Sequence, residues 1–320
     1  MNIRYYKDER SALTELFNRS VDENEVVYKK LDEERFDSLF VEENGCGKVI
    51  CVAYEENEAV GFCAGCRDDG TGRTFISYIN VKREYRNKGI GKALLYAAEK
   101  RLADLSGGGE MTYEMIFHDP AHLEWYIPST PKHDHPCAPG VDMDTYAYTF
   151  FKHNGYADYA EQLSFYIDLT DYVYPQKVLC DAASLKERGI EITYYDKDVH
   201  YGFAEFFDEL KHDAWKKAVL SSLDKKILVA SDNGRICGYT GPLSVQKSGR
   251  GSFNGIGVAP DHRGMGIGTV LFAELCKRLG ETGAAFMSLY TGSTNPARFI
   301  YGGAGFKIVK HWADLKKSVK

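Results

Sequence analysis

An α/β (α+β) fold, built twice along one chain, is what the sequence predicts, on three observations. Val81–Gly91 reads V-K-R-E-Y-R-N-K-G-I-G and Val258–Gly268 reads V-A-P-D-H-R-G-M-G-I-G, so Arg86 matches Arg263, Gly89 matches Gly266 and Gly91 matches Gly268, each 177 residues apart. Each copy follows a short apolar strand and runs into an amphipathic helix; in the second, Ile267, Leu271, Leu275 and Leu279 recur every four residues, as a buried stripe does. Gly61 and Gly238 are also 177 residues apart, so the repeat holds from an upstream hairpin through the glycine loop.

The elements follow in the same order in both halves. Residues 3–7 and 192–196 open them as first strands. Helices are predicted over 11–18 and 31–39 in the first half, and over 199–210 and 214–223 in the second. Hairpins come next: 49–54 with 59–64 around E-E-N-E, and 226–230 with 235–240 around S-D-N-G. Fourth strands are predicted at 75–81 and 253–258, ahead of the loops and long helices. The second half then has a strand at 286–290, and Asn295-Pro296 as cap and first-turn pair of a short helix, 297–301, which the following glycines end.

The matching end of the first half is T-Y-A-Y-T-F-F-K-H-N-G-Y, where Gly155 stands opposite Gly305 at a separation of 150, so the first half carries 177 − 150 = 27 extra residues. This insertion, about residues 117–143, is rich in proline, histidine and aspartate and reads as a loop rather than helix or strand. Loops of this length inside a domain are usually functional or disordered, and Trp125, Tyr126 and Ile127 argue for partial packing. Residues 162–169 close the first half. The predicted division is a first domain over 1–170, a connector over 171–189 and a second domain over 190–320.

The glycine loops carry the chemistry. Free amide N–H groups at a helix start point outward, and the helix dipole favours negative charge there. Glycines let a bulky pyrophosphate approach the main chain. A Rossmann fingerprint is excluded, because the position that needs its third glycine is Thr269, and a Walker loop is excluded because neither copy has Gly-Lys-Ser/Thr. An ordinary β–α turn accounts for either copy alone; two copies in the same context are a stronger signal.

The pattern resembles the acyl-CoA loop of the Gcn5-related N-acetyltransferase (GNAT) superfamily, and the resemblance covers nearly the whole chain. It implies two GNAT domains in tandem, each a mixed, mostly antiparallel sheet flanked by helices, in an architecture similar to mycothiol synthase. It also implies acetyl-CoA as cosubstrate, held in the second half by Val258, Arg263, Gly264, Met265, Gly266, Ile267 and Gly268 with Asn295. In the first half the corresponding residues are Val81, Arg86, Asn87, Lys88, Gly89, Ile90 and Gly91. In this family the fourth and fifth strands splay to admit the pantetheine arm, and a backbone N–H near Val258 would polarise the thioester carbonyl.

Tyr301-Gly302-Gly303-Ala304-Gly305-Phe306 resembles the second GNAT signature, which makes Tyr301 the catalytic proton donor. A phenol stays protonated at neutral pH and can donate to a departing thiolate. The bland alternative is an aromatic core residue. Phe151 takes that place in the first half and cannot donate a proton, so catalysis is expected in the second half unless Tyr146, Tyr148 or a residue of the insertion substitutes. No general base is assigned; His212 and Asp213 are explained equally well by a solvated helix face. His133, His135 and Cys137 alternate, so two could share a metal ion with Asp134 or His118. A lid over substrate and plain packing are the other readings of that run. Cys63 and Cys66 form a Cys-x-x-Cys on a strand, where positions three apart face opposite sides, so a shared site needs a break in the strand.

Bulk properties fit a globular protein: 44% hydrophobic and 27% charged residues. The net charge of −6 argues against a nucleic-acid or anionic-membrane surface and favours a cationic acceptor such as an amine. No apolar run reaches a membrane span and the start has no signal-peptide core, so a cytoplasmic location is expected, with the eight cysteines as free thiols. The sequence thus points to an N-acetyltransferase acting on a small-molecule amine. A non-catalytic acyl-CoA-binding scaffold and a protein or peptide N-acetyltransferase are the alternatives.

Overall fold

The computed structural model describes residues 1–319. The chain forms two compact units, Met1–Leu163 together with the residues from Lys310 onward, and Ser164–Val309. In chain order the first unit contains β1 (Asn2–Tyr5), α1 (Arg10–Asp22), α2 (Glu33–Phe40), β2 (Cys46–Glu55), β3 (Glu58–Asp68) and β4 (Thr74–Val81). It continues with α3 (Ile90–Leu105), β5 (Met111–Met115), β6 (Trp125–Tyr126), β7 (Asp134–His135), β8 (Val141–Asp142), α4 (Tyr146–His153) and the first part of β9 (Ala157–Asp168). The second unit adds α5 (Gln176–Glu187), β10 (Ile190–Tyr194), α6 (Phe203–Leu210), α7 (Asp213–Leu220), β11 (Leu228–Asp232), β12 (Arg235–Thr240), β13 (Ser244–Val245) and β14 (Arg250–Ser252). It ends with β15 (Ile256–Val258), α8 (Ile267–Glu281), β16 (Phe286–Gly292), α9 (Ala297–Gly303) and the start of β17 (Lys307–Val319).

The first unit's sheet runs β1-β2-β3-β4-β5-β17, and all its neighbours are antiparallel except β4 with β5. β3 feeds two cores, and Val60, the extra residue of a bulge opposite Ala53 and Tyr54, joins the side of Cys63. Val60 and Cys63 pack with Leu94, Ala98 and Leu102 of α3, while Phe62 and Ala64 pack with Phe17, Phe36 and Phe40 of α1 and α2. A bulge falls between Ala64 and Gly65, where a side chain on Gly65 would meet the carbonyl oxygen of Phe75 at 2.5 Å. The extra residue of that bulge is Ser77 of β4, so β3 keeps its alternation: Cys66 faces away from Cys63 and joins a separate cluster with Cys46, Phe75 and Ile116. Both thiols are free and buried, and burial pushes both up.

The second unit holds an antiparallel sheet, β10-β11-β12-β15, and a run β13-β14-β16 in which β14 and β16 are parallel. Both predicted hairpins form, with two-residue turns at Glu56-Asn57 and Asn233-Gly234. All four turn residues have positive φ (49°, 69°, 48° and 82°), the twist that a tight hairpin requires.

Four sequence expectations change. The insertion is ordered rather than a bare loop: it contains β6, β7 and β8. Trp125 is fully buried, edge-on to Trp312 with ring centroids 5.0 Å apart, and its Nε1 donates to the Cys137 carbonyl at 3.1 Å. The stretch 171–189 is not a plain connector; it carries α5, whose Val178 and Leu185 are buried two turns apart. The boundary expected at 170 lies at 163/164, and the last residues fold into the first unit because β17 pairs with β5 from Leu315↔Met115 to Val319↔Met111. The fourth strand of the second half is divided into β14 and β15, because its first part pairs with β16 and its last part with β12.

Asp314 on β17 is 1% exposed; its Oδ2 accepts from Gln162 Nε2 at 2.8 Å, and its Oδ1 has no partner. Burial lifts its carboxyl to about 6. The folded value lies above the unfolded one, so stability is full at low pH and is lost as pH rises through about 6. The loss is on the order of 3 kcal/mol. Asp314→Asn is expected to remove that slope, raising the melting temperature at pH 8 and leaving it unchanged near pH 4; a melting series against pH reads both.

Candidate functional site

Both glycine loops fold alike, and the reason is local. Asn87 (φ 61°) and Gly89 (φ 79°) are left-handed on either side of Lys88, and Gly264 (φ 78°) and Gly266 (φ 86°) flank Met265 in the same way. Alternating backbone handedness turns successive amides toward one side, the geometry of an anion-binding nest. Among the described residues, none of the amides 87–92 or 264–269 finds an acceptor; the first helical bonds are Ala93 N to Gly89 O and Val270 N to Gly266 O. The helices α3 and α8 thus present unpaired donors and the positive ends of their dipoles.

The side chains of the loops do other work. Arg86 Nε donates to the Val81 carbonyl at 2.8 Å and Arg263 Nε to the Val258 carbonyl at 3.1 Å, so each arginine ties its loop to the preceding strand. The rest of the Arg86 guanidinium is held by both carboxylate oxygens of Glu25, at 2.7 and 2.5 Å. Ile90 and Ile267 are buried under the helices and offer only their amides. Gly91 and Gly268 are close-packing positions: a side chain there would meet Phe150 at 3.2 Å or Ile300 at 2.9 Å. Lys88 lies over the Tyr85 ring, while Met265 is 37% exposed. Asn295 Oδ1 accepts from Ala297 N at 3.0 Å, so that side chain caps α9.

The two loops differ in what faces them. Nothing lies within 4 Å of where a side chain on Gly89 would begin. On Gly266 that position is 3.1 Å from Asp181 Oδ2, which α5 places over the start of α8 and Lys177 holds at 2.6 Å. No sequence signal marked Asp181, because 171–189 read as a connector.

Each unit also has a wedge. β4 and β5 pair only at Thr74↔Tyr113 and Phe75↔Glu114, and β14 and β16 only at Arg250↔Phe286 and Gly251↔Met287; beyond these pairs the strands part. In the second unit, Tyr301 on α9 packs against Phe165, Phe272 and Phe306, with centroids at 5.5, 4.9 and 6.4 Å. Its hydroxyl has no hydrogen-bond partner among the described residues, and burial pushes it up to about 12. His212 caps α7, its Nδ1 accepting from Trp215 N at 3.2 Å.

In the first unit, Phe151 is buried against Phe150 and Tyr156. The proposed substitutes for a tyrosine there lie elsewhere: Tyr146 is 90% exposed, and Tyr148 is bonded to Asp158 at 3.0 Å. The first unit instead has a half-open cavity of about 90 Å³ where β4 and β5 part, walled by the α1–α2 loop, Phe151 and the insertion. Asp119 and Tyr28 line it, and the sequence reading missed both. Asp119 lies in the fragment His118-Asp119-Pro120 of the insertion; Tyr28 carries no sequence signal. His135 Nδ1 is engaged with the Cys137 carbonyl at 2.7 Å and Cys137 Sγ with His122 Nδ1 at 3.4 Å. Among the described residues, no group of three or more metal-ligating side chains gathers.

Two duplicated strand–loop–helix anion cradles, each beside a splayed pair of parallel strands, define a tandem α/β fold with two anion-binding helix starts. The chain belongs to the Acetyltransferase (GNAT) family, whose sequence model matches residues 11–121 and 192–306. Solved structures repeat the tandem fold. A GCN5-related glucosamine N-acetyltransferase region of a fungal multi-domain GH3 β-N-acetylglucosaminidase is 18% identical with TM-score 0.63, over 98% of this chain and 38% of that one. A GCN5-related N-acetyltransferase from Sphaerobacter thermophilus is 15% identical with TM-score 0.59, over 99% and 95% of the two chains. A tandem GNAT protein from the clavulanic acid biosynthesis pathway is 15% identical with TM-score 0.57, over 99% and 98%. This chain thus spans little more than a third of the fungal enzyme. No curated protein is detectably similar in sequence.

Proposed function

We propose that the chain is an acetyl-CoA-dependent N-acetyltransferase of a small-molecule amine, with transfer in the second unit. The observation that carries this reading is Tyr301: a phenol kept protonated, without a partner, on the short helix packed against the glycine loop. Acetyl-CoA, when bound, supplies an activated acetyl thioester. The amides 264–269 would hold its pyrophosphate, and Tyr301 Oη would hold a proton for the departing sulfur. The fit rests on unpaired amides at a nest, the donor set that a diphosphate needs.

The test is release of free thiol from acetyl-CoA against a panel of small amines, with Tyr301→Phe in parallel. Turnover with an amine supports the reading. Coenzyme A binding without thiol release, whatever the acceptor, replaces it with the scaffold alternative.

A second reading is favoured by a specific contrast: Gly89 is open, whereas Asp181 stands against Gly266. Here the first loop is the stronger coenzyme A site. A carboxylate beside a diphosphate repels it, by an amount that salt screens. Asp181→Asn is therefore expected to tighten coenzyme A binding at the second loop by roughly tenfold at low salt, and less at 0.5 M salt. Calorimetry on a Gly89→Val background isolates that loop; an affinity that Asp181→Asn leaves unchanged removes Asp181 as a barrier.

A further inference from the structure

The cavity of the first unit holds an acid with nothing to neutralise it. Asp119 Oδ1 accepts from Ala121 N at 2.8 Å and from Ser77 Oγ at 3.1 Å, and Cys66 Sγ lies 3.9 Å away. Oδ2 has no donor and the carboxylate no cation partner among the described residues. The other acid of the cavity, Asp142, is already paired with Lys310 at 2.7 Å. The nearest basic group is Lys48, whose Nζ is committed to the Leu39 carbonyl at 2.9 Å. Tyr28 also lines the space, and among the described residues its hydroxyl has no hydrogen-bond partner. The remaining wall is apolar, with Ile76, Met115 and Leu123.

A partly buried carboxylate without a counter-charge is costly. Two donors fix Asp119 in place without cancelling its charge, and a ligand that brings the missing cation recovers the cost. The volume admits a short aliphatic body, and Tyr28 and Phe151 put aromatic rings in the wall. An acid ringed by apolar and aromatic groups thus selects an ammonium on a short hydrocarbon.

We propose that this cavity is a binding pocket for a small alkylammonium, its charge met by Asp119 Oδ2 and Tyr28 Oη and its hydrocarbon by the apolar wall. The insertion builds the pocket by supplying Asp119. The assignment of the bound amine as an acceptor rests on the second reading above, with coenzyme A at the first loop; the binding itself does not.

The test uses the full chain without acetyl-CoA and three probes of one shape: n-butylammonium, n-butanol and butyrate, followed by NMR titration at pH 7.5. The expected order is n-butylammonium tighter than n-butanol by at least tenfold, with no butyrate binding. Asp119→Asn is expected to weaken n-butylammonium at least tenfold while leaving n-butanol unchanged, and Tyr28→Phe to weaken it several-fold. Equal affinity for n-butylammonium and n-butanol in the unaltered chain overturns the proposal, whether or not the variants fold, and so does an Asp119→Asn chain that binds n-butylammonium as before. Binding without acetyl transfer to any amine sustains the pocket and sinks the enzyme reading. Transfer without n-butylammonium binding does the reverse.

Discussion

Tyr301→Phe is expected to lower the turnover number by roughly 10²-fold with little change in KM, the low end of what a positioned proton donor contributes. The low end follows from the environment. Burial against Phe165, Phe272 and Phe306 pushes the hydroxyl up to about 12, whereas an ordinary thiol ionises near 8.5. Full proton transfer to a thiolate is therefore uphill, and Tyr301 acts mainly as a hydrogen-bond donor to the charge that develops on sulfur. The same mismatch fixes the pH behaviour. The phenol is protonated throughout pH 6 to 9, so neither it nor its removal bends the pH–rate profile there. A turnover number that the substitution leaves unchanged moves the transfer to the first unit, where Phe151 occupies the matching position and Tyr28 is the phenol at hand. An alkaline limb near pH 9 in the unaltered chain that Tyr301→Phe removes contradicts the raised hydroxyl.

The repeat and the loops were legible because they rest on local rules. A left-handed position demands glycine or asparagine, and Asn87, Gly89, Gly264 and Gly266 fill all four. Asn57, Asn233 and Gly234 of the hairpin turns follow the same logic, while Glu56 (φ 49°) departs from it. Some of these residues have a second, structural reason that motif matching does not show. Gly91 and Gly268 read as phosphate-contact glycines, yet Phe150 and Ile300 leave no room there for a side chain. Arg86 and Arg263 read as cofactor ligands, and each spends its Nε on a strand carbonyl.

What stayed hidden depends on long-range placement. Asp119 and Tyr28 are 91 residues apart in sequence and meet only because the insertion folds over the parting of β4 and β5. Asp181 becomes a neighbour of Gly266 only once 176–187 is a helix. Pro175 stands just ahead of that helix, and proline suits the beginning of a helix as well as the end of one. The insertion misled for a related reason. Its prolines and aspartates are turn formers, but Trp125 sits between them and buries completely, which pins strands too short to show a period.

The most severe loss of stability is expected from the far end of the chain, and it falls on the first unit. Residues from Lys310 onward belong there, with Trp312 and Leu315 fully buried and Lys317 holding both oxygens of the buried Glu99 at 2.9 and 2.8 Å. Tyr156 adds a hydrogen bond to Glu99 at 3.0 Å, and Tyr113 bonds its backbone carbonyl at 2.8 Å. Trp312→Ala is expected to cost about 3–5 kcal/mol, the usual range for a fully buried aromatic. Lys317→Met leaves Glu99 charged and uncompensated, and a loss of about 3 kcal/mol is expected from a broken buried pair. Either change takes a large share of the ~5–15 kcal/mol that holds a typical domain together. Hydrogen exchange locates the damage: protection falls first in β4 and β5, whose neighbour is β17, while β11 and β12 keep theirs. A chain ending at Val309 is expected to lose the first unit's cooperative transition outright. If β11 and β12 lose protection in step with β5 in Trp312→Ala, the last strand does not belong to the first unit energetically, and the exchange of chain segments between the two halves is a matter of geometry alone.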